Sequence, residues 1–299
     1  MNEIKIGEII KKFDVFLLDI FGLIHDGVCL YHGAIEMLRE IKKAGKISIF
    51  ISNAPRNVDQ TAKRLEKFGI TSDLYSKIYT PGQLFYDECM YNAKYTGTYF
   101  AFGGIEDIDL INGTSHISRT ESIEDADFII AFGMFDKVVQ NSEINNLLKR
   151  AKERNLPMVC INPDKIVRKQ KEKDITEKGL RDAAIHFENE AHTEILCAGY
   201  IAALYEEISG HVEYYGKPYS LIYEIIFKTL TVDKANIIAL GDSFETDICG
   251  ANFAKIASGL VLTGIHSNIL YHDEIQADKL EHCIKQYNAK PDFILKNLS

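Results

Sequence analysis

The segment from Val15 to Asp26, VFLLDIFGLIHD, constrains the fold of this chain more than any other. It starts with an apolar run of the kind that fills a parallel strand buried on both faces, and Asp19 follows directly. Because an unpaired buried carboxylate is costly, Asp19 needs a cation or several hydrogen-bond donors. Gly22 then lets the strand break and the backbone approach a ligand. Asp19 is therefore expected at the carboxyl end of a central strand, where open α/β sheets bind ligands. A loop or helix-capping Asp is the alternative.

The composition is that of a globular protein large enough for one large domain or two ordinary ones. Of 299 residues, 46% are hydrophobic and 26% are charged, and the net charge is −9. Because no block of Lys and Arg is mixed with aromatic residues, nucleic acid is excluded as a main ligand. The six cysteines include no CxxC pair, which is typical of free thiols in a reducing cytosol. With no signal peptide or membrane span in the pattern, a cytoplasmic protein is expected.

Alternating strand and helix patterns predict an α/β fold with parallel strands and crossover helices. In the first hundred residues the strand SIFISN stands between the helical patterns AIEMLREIKKAG and VDQTAKRLEKFGI. From about residue 97 a second series of apolar segments, GTYFAFGG, DFIIAFGM and PMVCINPD, predicts a second α/β layer. Beyond it, VEYYGKPYS is predicted to be a strand that delivers Lys217, followed by a helix with Pro218 in its first turn.

Polar groups stand at the ends of four predicted strands, namely Asp19, then Ser52 with Asn53, then Lys217, and then Asp242 with Asp247. In a parallel sheet these ends open on one edge, so the groups can converge. Three carboxylates there need a cation, and Mg²⁺ prefers hard oxygen ligands and keeps several waters. A hydroxyl and a lysine provide donors and positive charge for a transferring phosphoryl group. Asp19 is then expected to be a nucleophile that forms an aspartyl phosphate, which water cleaves.

The same residues resemble the motifs of the haloacid dehalogenase-like hydrolases. The segments LLDIFGLIHDG, ISNAPR, GKP and GDSFETDICGA match the four motifs in order, and the resemblance covers nearly the whole chain. Because the large insertion falls between the second and third motifs, the chain resembles class IIA, a branch of sugar-phosphate, nucleotide and nitrophenyl-phosphate phosphatases. This implies a Rossmann-like core at 1–82 and 206–299 with an inserted α/β cap at 83–205. The resemblance further implies a small phosphorylated metabolite as partner, and a homodimer through the cap is expected.

Roles carried over from the resemblance can be placed residue by residue. The implied metal ligands are Asp19, which is also the nucleophile, the backbone carbonyl of Phe21, and Asp242, with Asp247 in support. The implied phosphate-binding groups are Ser52, the amides near Asn53, and Lys217, which neutralises charge. In the cap, NPD at 162–164 is also found in class IIA, and Asn162 and Asp164 are candidates for substrate contact. The same three letters are an ordinary turn signal, which is the alternative.

Phe21 departs from the usual pattern, in which a second Asp two residues after the nucleophile acts as general acid and then base. With an aromatic residue at this position, the chain also resembles an uncharacterised class IIA subgroup. Proton transfer is expected to fall by about two to four orders of magnitude if nothing replaces that Asp. His25 and Asp26 are the nearest ionisable residues, and loop hydrogen bonds are their alternative roles. The expected function is a Mg²⁺-dependent phosphatase. The alternatives are a catalytically weak phosphometabolite-binding or regulatory protein, and phosphoryl transfer to an acceptor other than water.

Overall fold

Two parallel β-sheets with helices packed against them, a three-stranded antiparallel sheet (β10-β11-β8 in the numbering below) and a pair of short antiparallel strands form the part of the chain that the computed structural model describes. These residues are 2–103, 116–135, 141–170, 192–272 and 274–299. No helix among them is both long and apolar enough to cross a lipid bilayer.

The first ninety residues alternate strands and helices, as the sequence patterns predict. The elements are β1 (Asn2–Glu3), α1 (Ile6–Lys12), β2 (Val15–Leu18), α2 (Ala34–Lys43), β3 (Ile47–Ile51), α3 (Val58–Lys67), β4 (Lys77–Tyr79) and α4 (Pro81–Tyr91). The start of α3 is fixed by a capping box, because the side chains of Asn57 and Gln60 each accept a hydrogen bond from the other residue's backbone N–H, at 2.8 and 3.2 Å. On α2 the buried apolar residues, including Met37, Leu38 and Ile41, form one stripe that packs into the core.

The second series of apolar segments also forms strands. The elements described here are β5 (Gly97–Phe102), β6 (Ile117–Thr120), β7 (Phe128–Ala131), β8 (Met134–Phe135), α5 (Asn141–Glu153), β9 (Met158–Cys160), β10 (Ile166–Gln170), β11 (His192–Cys197) and α6 (Ala198–Glu207). A last series follows. It comprises β12 (Val212–Tyr214), α7 (Ser220–Lys228), β13 (Ile237–Gly241), a π-helical turn (Phe244–Ile248), α8 (Cys249–Ala254), β14 (Ala257–Val261), β15 (Leu270–Tyr271), β16 (Glu274–Ile275), α9 (Ala277–Tyr287) and β17 (Phe293–Leu295). Pro218 lies two residues before α7 rather than in its first turn.

The larger sheet has seven parallel strands in the order β1-β17-β14-β13-β2-β3-β4. All four residues of β2 are fully buried between β13 and β3, as expected for a strand that is covered on both faces. The α/β fold class and the parallel Rossmann-like sheet are thereby confirmed. Asp19 follows β2 directly, and so lies at the carboxyl edge of this sheet.

The second sheet has five parallel strands in the order β12-β9-β7-β5-β6. The prediction that Lys217 follows a strand of the same sheet as Asp19 is wrong. Val212–Tyr214 pairs instead with Met158–Cys160, so Lys217 arrives from the second sheet. This strand lies beyond residue 205, where the sequence analysis ends the cap, and α4 contains the other border, at 82/83. The division into core and cap stays a prediction.

One apolar cluster joins the two sheets. It contains Val15 and Leu17 from β2, Phe85 from α4, Phe128 from β7 and Tyr223 from α7. Because helices α4 and α7 contribute to the same cluster as strands of both sheets, their apolar faces are buried between the two. This packing fixes the loop after β12 against the carboxyl edge of the seven-stranded sheet.

Candidate active site

Asp19 is held by the backbone of the central strands. Its N–H donates to the carbonyl of Leu240 in β13 at 2.9 Å, which continues the sheet by one residue, and its side chain is buried. Burial raises the pKa of Asp19 well above its usual range; Lys217 opposes this, and the carboxylates of Asp247 and Asp242 add to it. A carboxylate in this position therefore depends on the positive charge around it.

Lys217 supplies that charge. Its Nζ donates to Asp19 Oδ1 at 2.5 Å and to Asp247 Oδ1 at 2.7 Å, and the side chain is almost completely buried. Burial by itself lowers the pKa of Lys217, but the carboxylates of Asp19 and Asp247 outweigh it and hold the pKa above its ordinary value. The lysine is thus a charged ammonium group locked between two carboxylates.

Asp242 lies at the end of β13, where two backbone segments hold its carboxylate. Its Oδ2 accepts a hydrogen bond from the N–H of Ile265 at 2.6 Å. Gly22 has a φ of +100°, and a Cβ added there would lie 2.3 Å from Asp242 Oδ2, so only glycine fits. Burial and the neighbouring Asp247 raise the pKa of Asp242 to about 7.

The three carboxylates suit a divalent cation. Ligand atoms of Asp19, Asp242 and Asp247 all lie within 4.8 Å of one another, and all three side chains are buried. One ammonium group, that of Lys217, faces two of them, so among the described residues three carboxyl groups share one positive charge. Hard oxygen ligands with an uncompensated negative charge fit Mg²⁺ in charge and chemistry.

Ser52 and Asn53 follow β3 in the loop that the sequence predicts to bind phosphate. Both are buried, and Ser52 Oγ accepts a hydrogen bond from the N–H of Ala54 at 3.1 Å. The Asn53 side chain instead forms hydrogen bonds with the backbone of Lys217. Asn53 Oδ1 accepts from the Lys217 N–H at 2.7 Å, and Asn53 Nδ2 donates to the Lys217 carbonyl at 3.0 Å. Sequence reasoning missed this role, because it depends on where the loop after β12 packs.

The NPD segment after β9 forms a turn that lies against Asn53, and its contact with substrate stays a prediction. Asn162 Oδ1 accepts a hydrogen bond from the N–H of Asp164 at 3.3 Å, which makes it an Asx turn. Asp164 Oδ1 accepts from Asn53 Nδ2 at 2.8 Å, so this carboxylate lies against the phosphate-loop residue. The turn is held further by an ion pair of 2.6 Å between Lys165 and Glu245. Asn162 is therefore a turn residue, and Asp164 lies at the site.

Burial raises the pKa of Asp164 to about 6. Lys217 and the hydrogen bond from Asn53 oppose this shift, whereas Asp247 and Glu245 add to it. A carboxyl group with such a pKa holds and releases a proton near neutral pH.

The half-buried Phe21 and its neighbour His25 form a wall of aromatic rings. Their centroids are 5.8 Å apart in an edge-to-face contact, and the His25 ring stacks on Phe68 at 4.5 Å. His25 Nδ1 accepts a hydrogen bond from the N–H of Gly27 at 2.9 Å. Burial, aided by Arg64 and a second arginine, lowers the pKa of His25 to about 3. The imidazole is therefore neutral and structurally engaged, which makes it unsuited to proton donation.

Asp26 is engaged in the same loop. Its Oδ1 accepts hydrogen bonds from the N–H groups of Val28 and Cys29 at 2.8 and 2.7 Å, and the residue is buried. This is the loop-closing role that the sequence analysis gave as the alternative to catalysis. Neither Asp26 nor His25 takes the position of the missing carboxyl group.

Family comparisons agree with the motif pattern. A model described as haloacid dehalogenase-like hydrolase matches residues 16–112, and a second, HAD-hydrolase-like model matches residues 214–299. The curated relative found is a Caenorhabditis elegans protein named as a NipSnap protein, 22% identical over 273 residues. The match includes 84% of this chain, and the chain spans about half of that relative's length (48%).

Solved structures share the fold over the whole chain. A haloacid dehalogenase-like hydrolase of Brucella suis has a TM-score of 0.76 at 23% identity, with 100% of both chains covered. A structure described as a possible sugar phosphatase of Cytophaga hutchinsonii has a TM-score of 0.72 at 19% identity, covering 100% of this chain and 98% of that one. A 4-nitrophenylphosphatase of Thermotoga maritima has a TM-score of 0.65 at 23% identity, covering 97% and 96%.

Proposed function

The chain belongs to the haloacid dehalogenase-like hydrolases, class IIA, and from this premise we propose that it is a Mg²⁺-dependent phosphatase of a small phosphate ester. Two of the structural relatives are named for phosphatase activity, one toward a sugar phosphate and one toward nitrophenyl phosphate. Their names support the reaction class and leave the ester of this chain open.

The observation that carries the proposal is the buried pair of Asp19 and Lys217. The Lys217 ammonium group, 2.5 Å from the Asp19 carboxylate, keeps that side chain fixed at the carboxyl edge of the sheet. Ser52 lies at the end of the adjacent strand. A phosphoryl group bound there has a nucleophile on one side and a hydroxyl with backbone amides around its oxygens. The arrangement therefore favours phosphoryl transfer over other reactions of carboxylates.

In the proposed reaction an Asp19 oxygen attacks phosphorus, and the bond from phosphorus to the leaving oxygen breaks. Lys217 offsets negative charge between nucleophile and phosphoryl group, and Ser52 donates a hydrogen bond to a phosphoryl oxygen. Water then attacks the aspartyl phosphate, which releases inorganic phosphate and restores the Asp19 carboxylate.

Mg²⁺ would be held by Asp19, Asp242 and the Phe21 carbonyl, with Asp247 next to them. When bound, it supplies positive charge that offsets the carboxylates and the phosphoryl oxygens. The excess of negative charge in the cluster supports this assignment.

The test is phosphate release from a panel of aryl, sugar and other alkyl phosphates, with Mg²⁺ and with EDTA. Activity is expected only with the metal, and Asp19→Asn is expected to abolish it, because an amide is a poor nucleophile. Asp125→Asn, the same change at an exposed residue, is the control. Wild-type activity in Asp19→Asn would refute the nucleophile assignment.

Phe21 favours a second candidate, a phosphometabolite-binding protein with little turnover. Its ring cannot donate a proton, and His25 and Asp26 are engaged in the loop. Calorimetric titration with phosphate esters separates the two functions. Tight Mg²⁺-dependent binding without phosphate release would favour the second.

A further inference from the structure

A proton must reach the leaving oxygen when an alkyl phosphate is cleaved. The position that usually holds the proton donor, two residues after the nucleophile, is occupied by Phe21 in this chain. An aryl oxygen leaves well as an anion, whereas an alkyl oxygen does not. The proposed phosphatase therefore needs another ionisable group at the site or is limited to activated esters.

Asp164 is placed to be that group. Its Oδ1 is held by Asn53 Nδ2 at 2.8 Å, and its carboxyl group has no other hydrogen bond within the described part of the chain. Asn53 in turn holds the backbone of Lys217 on both sides. The carboxyl group thus lies directly beside the phosphate loop, with one oxygen fixed and the other available.

Close packing keeps the NPD turn in this position. Gly216 has a φ of +108°, and a Cβ there would lie 2.6 Å from Asn53 Oδ1 and 3.1 Å from Pro163 Cδ. The Asp164 carbonyl also accepts a hydrogen bond from the N–H of Gly199 at 3.1 Å, at the start of α6. The turn therefore touches the loop before Lys217 and cannot move without displacing it.

We propose that Asp164 donates a proton to the leaving oxygen as the phosphoenzyme forms, and later takes a proton from the attacking water. This inference rests on the proposed phosphatase function. In the first step the phosphorus bond to Asp19 forms, the bond to the leaving oxygen breaks, and the Asp164 proton completes the alcohol. In the second step water oxygen bonds to phosphorus, its proton returns to Asp164, and the bond to Asp19 breaks.

The charges that face Asp164 suit this exchange. Lys217 favours its carboxylate form, whereas Asp247 and Glu245 favour its protonated form. Among the described residues, Lys165 follows Asp164 directly in the chain, and its ammonium group is paired with Glu245 at 2.6 Å. With a pKa of about 6, both forms of Asp164 are accessible near neutral pH.

The test compares 4-nitrophenyl phosphate with an alkyl phosphate in wild type, Asp164→Asn and the exposed control Asp125→Asn, all with Mg²⁺. Asparagine keeps an oxygen that accepts from Asn53 but carries no titratable proton. In Asp164→Asn we expect turnover of the alkyl phosphate to fall by about 10²- to 10⁴-fold. The nitrophenol burst should persist and be followed by slow turnover, because water attack has lost its base. Asp164→Ser, whose hydroxyl does not titrate near neutral pH, should show the same pattern.

Three results would overturn the assignment. Loss of the nitrophenol burst, with phosphoenzyme formation slowed equally on both esters, would make Asp164 a positioning residue for Asn53 and Lys217. Unchanged rates on both would remove it from the reaction. If wild type hydrolyses no ester with Mg²⁺, the proposed function itself fails, and this assignment fails with it.

Discussion

Asp19 and Lys217 are 198 positions apart in the chain, yet Lys217 Nζ lies 2.5 Å from Asp19 Oδ1. The carboxylate directly follows an inner strand of one sheet, and the lysine follows an edge strand of the other. Their contact therefore depends on the relative position of the two sheets. Any change that separates the sheets also exposes a charged pair that is buried when they are packed together.

Replacing Lys217 tests the electrostatic balance of the cluster. In Lys217→Met the buried carboxylates lose their ammonium partner, and removing one member of a buried pair typically destabilises a protein by about 3–5 kcal/mol. Mg²⁺ should recover part of that loss, because it offsets the same charges. Urea unfolding with and without Mg²⁺ measures both effects. If Lys217→Met is as stable as wild type without metal, the carboxylates are not held together as charged groups.

The sequence predicts which residues belong to this cluster better than it predicts the strand pairing and the hydrogen bonds that hold them there. Asp19 and Asp242 follow fully buried apolar strands of four and five residues, so the edge at which they lie could be predicted from the apolar pattern. Lys217 follows a strand of three residues, and so short a pattern does not reveal which sheet it joins. The hydrogen bonds of Asn53 with Lys217 and Asp164 depend on tertiary packing and carry no local signal.

The acidic cluster predicts a metal-dependent gain in stability. At Mg²⁺ concentrations near one hundred times the dissociation constant, the gain is about 2.7 kcal/mol, and EDTA should reverse the rise in melting temperature. Asp242→Asn keeps an oxygen for the Ile265 N–H but removes one of three repelling charges. The metal-free variant should melt higher than metal-free wild type and respond less to Mg²⁺. A full Mg²⁺ response in Asp242→Asn would exclude this residue as a ligand.

Buried His25 predicts a loss of stability in acid. Its pKa of about 3 in the folded chain lies below the ordinary 6.5, so the unfolded chain binds more protons between these values. Stability from this group is complete above pH 6.5 and falls as the pH decreases, by about 2 kcal/mol at pH 5. His25→Gln keeps an acceptor for the Gly27 N–H but does not titrate, so its free energy of unfolding should change less between pH 8 and 5. His32→Gln, at an exposed ring, is the control.

Replacing Asn53 with alanine should cause a different defect from replacing Ser52 with alanine. Asn53→Ala removes hydrogen bonds to both backbone groups of Lys217, so it should lower kcat and cost about 1–3 kcal/mol in unfolding free energy. Ser52→Ala removes the hydroxyl expected to contact phosphate and should mainly raise KM. Steady-state kinetics on nitrophenyl phosphate and urea unfolding separate the two. A stable Asn53→Ala with unchanged kcat would contradict the positioning role.

Phe21→Asp restores a carboxyl group two residues after the nucleophile. The ring is half-buried and makes an edge contact with His25, so its removal should leave no large cavity. The positive charges of Arg64 and Arg56 act on the neighbouring His25 and should favour a new carboxylate nearby.

In the Asp164→Asn background, Phe21→Asp should therefore raise turnover of an alkyl phosphate at least about tenfold, because it returns an acid and base to the site. Phe21→Asn in the same background is the matched control, since it has the same shape without the proton. In otherwise wild-type protein the gain from Phe21→Asp should be small, because Asp164 already transfers the proton. The four rates form a double-mutant cycle for residues 21 and 164. Strictly additive effects would show that the two positions do not perform the same step.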